Sequence, residues 1–76
     1  MALIQQSPLT ASYAIQPPAL GSIILYRGLG DTVGEGTVTR LRHIEIGPGR
    51  PDKWGAFLDT EEGPIFINDW RYLRTK

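Results

Sequence analysis

TVTRLRHIEI, residues 37–46, joins strong β-propensity to a broken alternation of apolar side chains. Val38, Ile44 and Ile46 share one parity, and Leu41 has the other. Successive side chains of a strand point to opposite faces, so no strand held in strict register turns all four inward. A bulge or sharp bend near Arg40 is therefore expected, where one extra residue resets the faces.

Working outward, residues 22–27 (SIILYR) form a β-branched and aromatic run of strand length. Gly28, Gly30, Gly34 and Gly36 then punctuate a loop. On the other side, Gly47-Pro48-Gly49-Arg50-Pro51-Asp52 is a connection that no regular element tolerates. Residues 53–60 read as the next strand, with Trp54, Ala56 and Leu58 on one face, and Glu61-Glu62-Gly63 makes a tight turn. Residues 64–68 return as a strand. Asn68 or Asp69 can cap a single helical turn before Tyr72 to Arg74 complete the body. Short strands this closely spaced predict an all-β fold, a small five-stranded barrel spanning residues 21–76.

Residues 1–20 carry no charge and three prolines, Pro8, Pro17 and Pro18, among scattered apolar side chains. Pro17 and Pro18 impose an extended lead into the body, and neither strand nor helix periodicity persists before them. The segment reads as an extended N-terminal arm, flexible or draped over the barrel or a neighbouring subunit, with Ile4, Leu9, Tyr13 and Ile15 as its adhesive positions.

Composition narrows the chemistry. A chain of 76 residues buries only about 60% of the surface its unfolded form exposes. It has no Cys to staple it and one histidine, His43, so neither a disulfide nor a zinc site is expected and no metal or cofactor is assigned. Self-association into a homo-oligomer is one way for so small a scaffold to gain buried area. The first charged residue is Arg27 and the early apolar residues are interrupted, which argues against a secretory leader. No segment approaches the roughly 20 apolar residues that span a bilayer. A soluble cytoplasmic protein with no membrane partner is expected.

The order Gly21-x-Ile23-x-x-Tyr26, a loop, Gly34-x-Gly36-x-Val38, a paired hairpin and a terminal Asn68-Asp69-Trp70-Arg71-Tyr72-Leu73 resembles the SH3-like small barrels. The resemblance covers residues 21–75. It implies a barrel whose relatives include peptide binders, RNA-binding KOW modules, ferredoxin-docking subunits and the tetrameric type II dihydrofolate reductases. Those reductases work through a Gln-Ile-Tyr segment on a late strand, where this chain reads Ile65-Phe66-Ile67-Asn68 and lacks both ring-binding groups. Such an oligomeric enzyme is thus a minor alternative.

Formal charge sums to zero, so any electrostatic recognition is local. The glycines of GLGDTVGEG lack the Lys-Ser/Thr ending and following helix of a phosphate loop. No catalytic residues are assigned. The residue types that dominate interfaces, Trp, Tyr and Arg, mark Tyr26, Arg27, Arg40, Arg42, Trp54, Trp70, Arg71, Tyr72 and Arg74 as the partner-binding set. The expected function is a non-catalytic protein-interaction module, an adaptor or inhibitor of the compact kind that phages and mobile elements encode. The alternative is a nucleic-acid-binding barrel built on the same residues together with His43 and Lys53, in which guanidinium groups hold phosphate and aromatic faces stack on bases. The acidic turn from Asp59 to Glu62 weighs against it.

Overall fold

The computed structural model describes residues 13–76; Ile4 and Leu9 lie outside the described residues. Five strands, β1 (Ile23–Arg27), β2 (Val33–Ile44), β3 (Lys53–Thr60), β4 (Gly63–Asn68) and β5 (Tyr72–Thr75), form one antiparallel sheet in the order β4-β3-β2-β1-β5. A single 3-10 turn, Asp69–Arg71, separates β4 from β5. The all-β, five-stranded reading therefore holds. No helix among the described residues is long and apolar enough to cross a membrane.

β2 breaks register between Val38 and Arg40, at the position where the alternation of residues 37–46 fails. Thr39 is the extra residue, and its hydroxyl donates to the Phe57 carbonyl at 3.1 Å. The bulge brings Leu41 to the face that Val38 occupies, opposite Ala56 and Leu58 respectively. It does not bring all four apolar residues inward. Ile44 pairs with Lys53 on the other face, and Ile46 lies beyond the strand.

Gly34 and Gly36 lie inside β2 rather than in the preceding loop, because that strand begins at Val33. They are strand glycines for a packing reason. A Cβ on Gly34 would stand 2.3 Å from the Tyr26 ring, and one on Gly36 would stand 3.0 Å from Leu58 Cβ. Only the tight corners use positive φ, as at Gly30 (63°) and Gly63 (113°).

The sheet curls. In a flat sheet, β3 and β5 would lie roughly 14 Å apart across three strand spacings, yet the Trp54 and Tyr72 rings meet edge to face at 5.6 Å. Inside the curl, Ile24, Val38, Trp54, Ala56, Leu58 and Ile67 are at most 1% exposed. Tyr26, Leu41, Ile65 and Tyr72 close around them.

Tyr13 joins this core from the N-terminal segment. It forms a parallel bridge with Asp52, and the Trp54 indole N–H donates to the Ile15 carbonyl at 2.7 Å. The segment thus covers the Trp54 end of the curl and satisfies the one polar atom of a buried indole.

Candidate functional surfaces

Three constellations are candidates, and two of them take up most of the sequence-selected residues. The first is a rim where β1 leads into its loop. Gly28 N–H donates to the Thr32 carbonyl (2.9 Å), while Thr32 donates to the Leu29 carbonyl through both N–H (3.2 Å) and hydroxyl (2.7 Å). This closed loop holds Leu29 at its tip, 91% exposed. Across from it the 3-10 turn projects Trp70, 63% exposed. Between them lies an open groove of about 410 Å³, lined also by Arg27, Asn68 and Arg71.

Arg71 is the fixed member of that rim. Its Nε donates to the Arg27 carbonyl at 3.0 Å, and its guanidinium lies over the Tyr26 ring, 5.6 Å from the centroid. Tyr26 is in turn seated by the missing side chain of Gly34. The arginine is held by its neighbours before any partner arrives, which lowers the entropy lost on binding.

The second constellation is the outer face of β2, β3 and β4. Antiparallel register places Arg40, Phe57 and Phe66 in one cross-strand row, and Arg42, Gly55 and Asn68 in the next. The Arg40 guanidinium stands 5.3 Å from the Phe57 centroid, and the Phe57 and Phe66 rings are 4.8 Å apart with a 58° tilt. The Phe66 ring reaches over Gly55, where a Cβ would stand 2.1 Å from it. Lys53 lies on the same face one step further along β3. Among the described residues, no carboxylate pairs with Arg40, Arg42 or Lys53.

The third is a hydrogen-bonded chain at the N-terminal segment. The Tyr13 hydroxyl bonds His43 Nδ1, and His43 Nε2 faces Asp52 Oδ2 at 3.3 Å. The other Asp52 oxygen accepts the Ile46 N–H at 3.3 Å. Hydroxyl, imidazole and carboxylate in series suggest a nucleophile and its base. The electrostatics run the other way: burial, and then the Asp52 charge, push the Tyr13 phenol up from its ordinary value. That environment disfavours a phenolate, and the bonds tie the N-terminal segment to β2 and to the residue before β3.

The sequence-selected set is therefore divided. Tyr26, Arg27, Trp70 and Arg71 meet at the rim, and Arg40 and Arg42 share the outer face. Trp54 is core, 1% exposed, and presents no surface to a partner. Tyr72 is half-buried against Trp54, with its hydroxyl 2.9 Å from Thr75 Oγ1, and Arg74 is exposed on β5 opposite Leu25. Leu29, Phe57 and Phe66 were not in that set. The two phenylalanines carried a signal: each has the parity opposite to its inward-facing neighbours, Ala56 and Leu58 or Ile65 and Ile67. The turn at Glu61-Glu62 pairs Thr60 with Gly63 and hence Phe57 with Phe66. Among the described residues no group of three or more His, Cys, Asp or Glu is placed to hold a metal ion. The chain matches no family model, and neither the curated proteins nor the solved structures hold a significant match to it.

Proposed function

We propose that this chain is an SH3-like small barrel acting as a non-catalytic protein-interaction module, with the rim of Leu29, Trp70, Arg27 and Arg71 as its docking surface. The barrel assignment is supported by the strand order, by the bulged β2 that serves both halves of the curl, and by the 3-10 turn before β5. The observation that carries the function is the pairing of two large exposed apolar side chains, Leu29 and Trp70, with a pre-positioned Arg71 across one groove. Scattered exposed apolar residues are ordinary; two facing each other across a concave surface beside a fixed arginine fit an interface anchor.

The test is photo-crosslinking in a lysate of the native host, with the crosslinker at position 29 and the full chain as bait. A protein partner is expected that is retained after nuclease treatment and lost when Trp70→Ala is introduced, while Arg42→Ala leaves it in place. Capture indifferent to Trp70→Ala, or abolished by nuclease, overturns the reading.

A further inference from the structure

We infer that the outer face of β2, β3 and β4 is a second binding site, distinct from the rim, that takes single-stranded nucleic acid. The row Arg40, Phe57 and Phe66 brings a guanidinium and two tilted rings together across three strands. A flat base extends such a row at either end, on the guanidinium plane or on the Phe66 ring that Gly55 lets lie close to the sheet.

Charge complementarity selects the occupant. Arg40 at the end of the row and Arg42 and Lys53 beside it have no carboxylate partner among the described residues. Buried aromatic pairs that serve the sheet alone need no such cations beside them. On this face Asp59 lies one step beyond Phe57, toward the Glu61-Glu62 turn, while Arg42 and Lys53 lie on the other side of the row. The gradient along the hairpin steers a phosphate backbone past the arginines and away from the turn. An acidic peptide would satisfy the cations but would leave the rings without a flat partner. A duplex hides the base faces within its own stack.

The experiment is a fluorescence anisotropy titration of the full chain against labelled oligothymidylate and oligouridylate of about 15 nucleotides. Dissociation constants between about 1 and 100 µM are expected at low salt. With three cations engaged, affinity should fall about 20-fold between roughly 50 and 200 mM salt. Phe57→Ala should weaken binding by about 5- to 100-fold, Phe57→Tyr should restore it, and Arg42→Glu should abolish it. Near-ultraviolet circular dichroism from the buried Trp54 confirms that each variant is folded. Trp70→Ala should bind as the parent does, which separates this site from the rim. Binding weaker than about 1 mM, binding indifferent to Phe57→Ala, equal preference for a duplex, or loss with Trp70→Ala instead would each overturn the inference. So would light scattering that shows this face, broken by the same substitutions, to be a contact between two copies of the chain.

Discussion

The two faces of β3 are eight residues of one strand put to opposite uses. Inward, Trp54, Ala56 and Leu58 are wholly enclosed and make the centre of the core. Outward, Gly55 and Phe57 belong to a row of rings and guanidinium groups that faces solvent. Trp54 and Phe57 are both large aromatics, but only Trp54 is fully covered, with its indole N–H answered by the Ile15 carbonyl. Aromatic content alone therefore says little about function in a sheet this small. Parity does the sorting, since it decides whether a ring fills the curl or decorates it.

The largest test of that division is Trp54→Ala. Removing an enclosed indole should cost about 3–5 kcal/mol in urea unfolding, a large share of what a small domain holds in reserve. If the cost were below about 1 kcal/mol, the inner face would not be the core. Tyr13→Ala comes next, at about 2–4 kcal/mol, because the segment packs on the same face through Tyr13 and the Ile15 carbonyl. A chain starting at Pro18 should be destabilised at least as much. A truncation without effect would show the inner face to be complete without the segment.

Tyr13 also gives the inner face a pH signature. Folding raises the phenol above its ordinary value, so the unfolded chain releases that proton first. The contribution is fully present below about pH 10 and is lost as pH climbs through that value and beyond. Thermal midpoints measured from neutral to alkaline pH should fall there, and Tyr13→Phe should make the fall shallower. An identical fall in the variant would remove Tyr13 from the account.

The sequence made the core legible because its signals were local and periodic. Trp54, Ala56 and Leu58 alternate without interruption, and the single parity fault near Arg40 located the bulge to within a residue. Gly34 and Gly36 misled for a physical reason. Glycine marks a turn when it supplies positive φ, but here it supplies space, and the side chains that need the space, Tyr26 and Leu58, are remote in sequence. The same holds for the surface. Arg71 and Trp70 were visible as residue types, whereas the Leu29 loop that faces them and the Tyr26 ring beneath Arg71 are products of the curl. The arm's attachment was also hidden, since Tyr13, His43 and Asp52 meet only through tertiary contact.

Gly55 tests the outer face with a smaller perturbation. A methyl group there must displace the Phe66 ring, which stands 2.1 Å from the Cβ position, while the inner face is untouched. Gly55→Ala should cost about 1–2 kcal/mol, with the near-ultraviolet signature of Trp54 preserved. Loss of that signature would mean that the two faces are mechanically coupled and that sorting by parity is too simple.

The smallest expected effect is the sharpest. If Arg40, Phe57 and Phe66 form one interacting row, then Arg40 and Phe57 must stabilise each other beyond their separate contributions. A double-mutant cycle with Arg40→Ala, Phe57→Ala and the pair isolates that term, because the ring's contact with Phe66 is lost in both arms and cancels. At an exposed site a cation over a ring contributes about 0.5–1 kcal/mol. The attraction acts between the cation and the ring's quadrupole at short range, so moderate salt should reduce it little, unlike a surface ion pair. A coupling near zero would reduce the row to neighbours without interaction, and the arginine would then be free to leave the ring. A coupling that vanished with salt would assign Arg40 to an acidic neighbour instead. Only a positive and salt-tolerant coupling keeps the guanidinium over the Phe57 ring, where its far side can meet a ligand.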